Sequence, residues 1–134
     1  MSQQTDDHSD EQQIRTLIDV WGEASASGDL IALMNLMTED VAFLTAGHPP
    51  MRRKEFAEGF ARMSESFALT IRSRVQELTI SGDLAVCWNL LEVDMTPSAG
   101  GTTTKRAGNV LTALRREADG QWRIWRDANL LAIV

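Results

Sequence analysis

Apolar residues recur at intervals of three and four in the first half of the chain, which predicts amphipathic helices. Gly28 is placed to end the first helix, and Asp29 to cap the start of a short second one. A third helix is predicted beyond the proline-containing loop 46–50. The apolar positions of the three helices are Ile14, Leu17, Ile18 and Trp21; Leu30, Leu33, Met34 and Met37; and Phe56, Phe60, Met63 and Phe67.

The second half of the chain has the composition of strands. A short strand is predicted at 41–45, and from Leu69 onward Val, Ile, Thr, Leu and Trp predominate, with turn signals at 81–83, 97–101 and 118–120. Four consecutive strands with short connections predict an antiparallel meander, and helices followed by strands indicate an α+β fold. A sheet curved around three N-terminal helices leaves a cavity at its open end, where a small molecule can bind.

Composition limits the class of protein. The 134 residues fit one domain, and the net charge is −6. Four acidic residues lie in the first twelve positions, so the remaining 122 residues carry 13 basic and 15 acidic side chains, or −2. We therefore expect a disordered acidic tail at 1–9 and a single domain at 10–134. The absence of a basic face disfavours a nucleic-acid partner.

The same sequence argues against a membrane protein or an exported one. No stretch approaches 18 uninterrupted apolar residues, and the N-terminus has no apolar signal region. Cys87 is the single cysteine, so the chain cannot form an internal disulfide. A cytoplasmic location is the default expectation.

The order of elements resembles a known superfamily. The run at 14–60 resembles the opening of nuclear transport factor 2-like proteins, and the segments 82–88 and 108–131 resemble their closing strands. The nearest resemblance is to the SnoaL-like, SgcJ/EcaC-type small proteins, related to ketosteroid isomerases and to the association domain of calcium/calmodulin-dependent kinase II. This resemblance implies a cystatin-like α+β cone with a hydrophobic pocket, and a homodimer formed through the outer face of the sheet.

The resemblance does not extend to the catalytic groups of ketosteroid isomerase. That enzyme uses an aspartate base, with a phenol and a protonated carboxylic acid that stabilise an enolate. Counted from the Gly-Asp corner, the corresponding positions are Thr45 for the base, Trp21 for the phenol and a position near Val110 for the acid. Threonine does not abstract a carbon-bound proton near neutral pH. Ketosteroid isomerisation by that mechanism is therefore not expected.

Asp127 is the main catalytic candidate. Strict alternation puts Trp125, Asp127 and Asn129 on one face of the last long strand, with Trp122, Ile124, Arg126 and Ala128 on the other. If the first face lines the cavity, Asp127 is a general acid or base whose pKa is raised by apolar surroundings. The alternative is a structural carboxylate paired with Arg72, Arg106 or Arg115.

Further residues complete the predicted site. His48, at the expected mouth of the cone, is a second catalytic candidate, and its alternative is an exposed loop histidine. The strand phase around Trp88 is open, and the tryptophans are either a ligand pocket or ordinary core. No metal-ligand cluster and no dinucleotide fingerprint is present, so neither a metal nor a cofactor is expected. The predicted ligand-binding residues are Trp21, Phe43, Thr45, Phe60, Trp88, Trp125 and Asn129.

Three functions fit these observations. The first is a cofactor-free protein that binds a small, largely apolar molecule and carries out isomerase, cyclase or dehydratase chemistry through Asp127. The second binds such a molecule without chemistry. The third is a dimeric association module that uses an apolar outer face made by Leu111, Ala113, Trp122 and Ile124.

Overall fold

Three helices and six strands make up the computed structural model, which describes residues 3–134, with side chains from residue 8 onward. The helices are α1 (Gln3–Ser27), α2 (Leu30–Asn35) and α3 (Arg53–Ser66). The strands are β1 (Met37–Thr45), β2 (Phe67–Ser81), β3 (Leu84–Pro97), β4 (Thr104–Arg116), β5 (Trp122–Asn129) and β6 (Ala132–Ile133). Within the described range, no helix is long and apolar enough to cross a bilayer.

The strands form one curved, unclosed sheet in the order β1-β5-β4-β3-β2, with β6 added beside β4. Strands β2 to β5 form the expected antiparallel meander. The α+β class, with helices packed on a curved sheet, is confirmed. The sheet is not entirely antiparallel, because β1 pairs with β5 in parallel. The apolar pattern at 41–45 indicates a strand but does not specify its partner.

The corner between α1 and α2 forms as predicted. Gly28 has φ of +75°, a left-handed conformation that glycine adopts without steric cost. The Asp29 carboxylate accepts a hydrogen bond from the backbone N–H of Ala32 at 3.1 Å and so caps α2.

Three element boundaries differ from the sequence-based expectation. The first helix begins at Gln3, inside the segment 1–9 that was expected to be disordered; residues 1 and 2 lie outside the described range. Met37 and Phe67, expected in helices, instead begin β1 and β2. The short strand β6 was not predicted.

A β-bulge in β5 changes the facing of its residues. Leu114 of β4 pairs with Ile124, but the next residue, Ala113, pairs with Arg126, so Trp125 is one extra residue on β5. A bulge shifts the alternation of side chains by one position. Consequently Ile124 and Asp127 both face the helices, whereas Trp125 faces outward.

The core fills the space between α1 and the inner face of the sheet. Trp122 and Ile124 are buried there against Leu114. The expectation that Trp122 and Ile124 belong to an outer apolar face is therefore wrong, because the bulge at Trp125 reverses the alternation. A smaller cluster of Ala24, Leu33 and Phe60 joins α1, α2 and α3.

A buried ion pair connects the first part of α1 to the sheet. The Asp10 carboxylate is 5% exposed and accepts from the Arg116 guanidinium at 2.8 Å and from the Trp122 indole N–H at 3.1 Å. The Arg116 guanidinium also stacks over the Trp122 ring, 5.2 Å from its centroid. Because each polar group of this cluster has a partner, its burial is tolerated.

The C-terminal segment crosses β4 at Gly108. A Cβ atom at this position would lie 2.5 Å from the carbonyl oxygen of Leu130 and 3.1 Å from the Cα of Leu131. The Leu131 N–H donates to Asn129 Oδ1 at 2.8 Å, and β6 then pairs with β4. Glycine is required here because backbone, not a flexible side chain, occupies the space.

We expect Gly108→Ala to lower the free energy of unfolding by about 1–3 kcal/mol, because the added methyl forces the C-terminal backbone away from β4. Urea denaturation measures the loss, and hydrogen exchange should show weaker protection of the amides of β6. Gly59→Ala in α3 is the matched control, since its Cβ meets nothing within 4 Å. This control should gain about 0.5–1 kcal/mol. Equal stabilities for the two variants would contradict the proposed steric role.

Candidate functional site

A cavity of about 200 Å³ lies between the helices and the concave face of the sheet. Helix α1 and the residues around α3 form one wall, and inward-facing residues of β1 to β5 form the other. Its lining residues are Ile18, Trp21, Gly22, Phe43, Thr45, Met51, Phe56, Ile71, Ser73, Asn89, Leu91, Val110, Thr112, Ile124, Asp127 and Asn129.

Asp127 is the one ionisable side chain among these lining residues. In the sheet it lies between Thr112 of β4 and Phe43 of β1. The half-buried carboxylate accepts a hydrogen bond from the Thr112 hydroxyl at 2.8 Å. Burial raises the pKa of Asp127 to about 6, although the Thr112 hydrogen bond acts in the opposite direction. This carboxyl group can therefore both release and accept a proton near neutral pH.

The arginines considered as partners of Asp127 lie elsewhere. The Arg72 guanidinium donates to Glu92 at 3.0 Å, and Arg115 pairs with Asp40 at 3.1 Å. Within residues 8–134, no salt bridge to Asp127 is formed, and Arg106 pairs with no acidic side chain. The structural role as a paired carboxylate therefore has no support in the geometry.

Aromatic rings line the cavity where α1 and α3 approach β1. The Phe43 and Phe56 rings stack with centroids 4.7 Å apart, and Trp21 lies 5.9 Å from Phe43 and 5.6 Å from Phe56. These three residues come from β1, α3 and α1, so the wall depends on the packing of all three elements. Such a wall suits a flat or apolar ligand.

Polar groups lie on the sheet side. The Asn89 side chain is 8% exposed, and its Nδ2 donates to the Ser73 hydroxyl at 2.7 Å. Its Oδ1 is buried without a partner among the described residues. Asn129 also faces the cavity, but its Oδ1 accepts from the Leu131 N–H. Thr45 lies at the exposed end of the lining.

Five of the residues predicted for the site line the cavity together: Trp21, Phe43, Thr45, Asp127 and Asn129. Two others lie nearby but outside the lining. His48 is exposed in the turn after β1, where its backbone N–H donates to the Thr45 carbonyl at 3.2 Å. Phe60 is buried behind Phe56, and the centroids of the two stacked rings are 5.9 Å apart.

Trp88 and Trp125 face away from the cavity, so their predicted placement in the ligand site is wrong. Trp88 lies on the outer face of β3, where its indole N–H donates to Asn109 Oδ1 at 2.8 Å. Trp125 faces outward because it is the bulged residue of β5, and its ring lies 4.4 Å from the Arg126 guanidinium and 5.4 Å from that of Arg115. These contacts are cation–π interactions on the outer surface.

Sequence reasoning missed Ser73, Asn89 and Thr112. The available signal was weak, because β3 is apolar on both faces and its alternation does not reveal which face is inward. Once Cys87 is known to be buried, Asn89 follows on the same face at a spacing of two. Thr112 follows in the same way from its pairing with Asp127.

The other chemically reactive groups offer no further site. Burial raises the pKa of the Cys87 thiol to about 11, which keeps it protonated and unreactive at neutral pH. Across the described part of the chain, no group of three His, Cys, Asp or Glu side chains is placed to hold a metal ion.

Helices packed on a curved, unclosed sheet around one cavity define the nuclear transport factor 2-like fold. Residues 14–127 match the SnoaL-like domain, and the chain belongs to this family. Comparison of the sequence with curated proteins gave no significant match.

Solved structures resemble the whole chain. A conserved protein from Planctomyces limnophilus is 33% identical, with a TM-score of 0.93 over 95% of this chain and 99% of that one. A ketosteroid isomerase-like protein from Erwinia carotovora atroseptica is 23% identical, with a TM-score of 0.77 over 92% and 95% of the two chains. A scytalone dehydratase-like protein from Novosphingobium aromaticivorans is 13% identical, with a TM-score of 0.84 over 96% and 86%. The last two likenesses concern the fold alone.

The raised pKa of Asp127 makes stability depend on pH. Its folded pKa, about 6, exceeds the ordinary aspartate pKa of 3.8, so the folded protein binds this proton more tightly than the unfolded chain does. The stabilisation from the bound proton is present at low pH and is lost as pH rises through about 6. Two pKa units correspond to about 3 kcal/mol.

We therefore expect Asp127→Asn to become more stable relative to the wild type as pH rises from about 4 to about 7, by up to about 3 kcal/mol. Urea denaturation at a series of pH values measures this difference. Asp19→Asn, at an exposed position on α1, controls for the loss of one negative charge. A difference between Asp127→Asn and the wild type that does not change with pH would show that the carboxyl is not desolvated.

Proposed function

We propose that the protein binds a small, largely apolar molecule in its cavity and transfers a proton on it through Asp127. The observation that carries this proposal is a half-buried carboxyl group that faces an aromatic wall and has its pKa raised to about 6. Such a group lowers the stability of the fold, because burial disfavours the charged form of the carboxyl. Functional sites are where perturbed carboxyl groups of this kind concentrate.

The geometry favours a role as general base at neutral pH. With a pKa of about 6, most Asp127 side chains are ionised at pH 7, and the protonated form remains accessible. The Thr112 hydroxyl engages Oδ2 and so fixes the orientation of the carboxylate. Oδ1 then accepts a proton from the bound molecule and returns it at another position. Isomerisation, cyclisation and dehydration all use this kind of transfer.

The proposed chemistry differs from that of ketosteroid isomerase. Trp21, Thr45 and Val110 all line the cavity, at or near the positions expected for that enzyme's catalytic groups. None of these side chains is an acid, a base or a phenol. The acid–base chemistry of this cavity therefore rests on Asp127 of β5.

We expect the wild type to accelerate exchange of the α-protons of cyclohexanone in D₂O, followed by proton NMR. The rate should rise with pH through about 6 and then level off, because the carboxylate is the form that accepts a proton. Asp127→Asn should lower the enzyme-dependent rate by about 10²- to 10⁴-fold. Asp19→Asn should leave the rate unchanged. Exchange by Asp127→Asn as fast as that of the wild type would remove the proposed role.

The alternative is a binding protein without chemistry. The inert side chains of Trp21, Thr45 and Val110 favour it, because the cavity then needs only shape and an apolar wall. Under this alternative, small cyclic molecules raise the melting temperature by mass action, but neither the wild type nor any variant speeds their proton exchange.

We also propose that two copies of the chain associate through the outer face of the sheet. Exposed apolar side chains cluster there on β3 and β4, and an isologous two-fold contact would cover them on both copies. This face consists of Leu84, Val86, Trp88, Leu90 and Leu111. This set of residues differs from the outer face expected from the sequence. Of the large apolar residues in that expected face, Leu111 is exposed, whereas Trp122 and Ile124 are buried.

At micromolar concentration, light scattering should give a mass near twice the 14.9 kDa of one chain. Leu111→Glu should shift the mass toward one chain, because a charge would then be buried against the apolar face of the other copy. Ile31→Glu is the matched control, since Ile31 is 78% exposed on α2. A wild type of single-chain mass, or a dimer that Leu111→Glu leaves intact, would contradict this interface.

A further inference from the structure

The proton transfer proposed above does not involve Asn89, which also lines the cavity. The Asn89 side chain is more than nine-tenths buried, and its Nδ2 is engaged by the Ser73 hydroxyl. Its Oδ1 has no partner within the described residues. A buried acceptor without a donor costs stability, so its persistence beside the cavity calls for a donor supplied from outside the chain.

The register of the sheet places Asn89 and Asp127 on the same concave face, two strands apart. Asn89 pairs with Val110 of β4, and Thr112, two residues further along the same face, pairs with Asp127 of β5. Two strand spacings and one two-residue step separate the Cα atoms by about 12 Å, before the curvature of the sheet shortens the distance. A single molecule in the cavity can therefore contact both side chains.

The volume of the cavity limits the size of this molecule. A protein cavity of about 150 Å³ holds one benzene molecule, and this one measures about 200 Å³. One substituted ring therefore fits within this volume. The rings of Trp21, Phe43 and Phe56 provide the apolar contacts for it.

We propose that the cavity binds a single-ring molecule that carries a hydroxyl group and no negative charge, and that Asn89 accepts the hydrogen bond of that hydroxyl. This assignment rests on the proposed function, because it takes the cavity to be the ligand site. A modest rotation about the broad terminal torsion of asparagine turns Oδ1 toward the cavity. Since a hydroxyl both donates and accepts, it satisfies the free end of the amide in either orientation.

The exclusion of anions follows from the lining. It contains no lysine or arginine, and its ionisable group is the Asp127 carboxyl. A carboxylate or phosphate on the ligand would lose its hydration without gaining a counter-ion and would be repelled by ionised Asp127.

Titration calorimetry with p-cresol and 4-methylanisole tests the proposal, because the two molecules differ in whether the ring oxygen donates a hydrogen bond. The wild type should bind p-cresol about tenfold more tightly. Asn89→Leu should bring the two affinities to about the same value while retaining 4-methylanisole, which shows that the cavity is intact. Equal affinities in the wild type, no binding of p-cresol, or a preference that survives in Asn89→Leu would overturn the assignment.

A second measurement uses the wild type and therefore does not depend on the folding of a variant. The side-chain amide resonances of Asn89 in the wild type should shift on addition of p-cresol and remain in place with 4-methylanisole; unchanged resonances with p-cresol would overturn the assignment. Asp127→Asn separates this inference from the proposed catalysis. That variant should lose proton exchange on cyclohexanone but keep its preference for p-cresol, whereas loss of the preference would show that Asp127, not Asn89, recognises the hydroxyl.

Discussion

The extra residue in β5 at Trp125 determines which side chains of the last long strand face the helices. Without it, strict alternation would place Ile124 and Asp127 on opposite faces of the sheet. With it, Ile124 packs in the core and Asp127 lines the cavity, while Trp125 turns outward. A second bulge acts in the same way in β2, where Gln76 is the extra residue opposite β3. Both insertions also add local twist, which favours the curvature that keeps a cavity open between sheet and helices.

The cavity combines two environments that have opposite effects on a carboxyl group. The aromatic wall and the surrounding β-strands remove water and so raise the pKa of Asp127, while the Thr112 hydroxyl partly compensates by stabilising the charged form. The buried carboxylate of Asp10, by contrast, is paired with the Arg116 guanidinium and the Trp122 indole N–H. The contrast is informative: the chain can satisfy a buried carboxylate when stability requires it, yet it leaves Asp127 with one hydroxyl partner at the edge of a cavity.

Much of the fold could be predicted from the sequence, because helix periodicity, the Gly28–Asp29 corner and the turn signals between strands are local features. The candidate site could be predicted only in part. Asp127 and Asn129 were assigned to the correct face, but Trp125 was not, since a bulge carries no reliable local signal and a period-two pattern assumes that there is none. The inward phase of β3 was also undetermined, because Leu84, Val86 and Trp88 are as apolar as the residues between them. These outward side chains reflect an apolar outer face, which periodicity cannot distinguish from a core.

Membership of the SnoaL-like family identifies the fold but not the chemistry of the protein. The cavity is made by backbone geometry, and any inward position on the curved sheet can carry the reactive group. In this chain Trp21, Thr45 and Val110 supply only shape, whereas Asp127 and Asn89 supply an acid–base group and a free hydrogen-bond acceptor on different strands. The volume of about 200 Å³ matches a molecule of one ring. In the proposed function, specificity therefore depends on three separate features: the bulge that turns Asp127 toward the cavity, the buried Asn89 Oδ1 that has no partner within the described residues, and the aromatic rings of the lining.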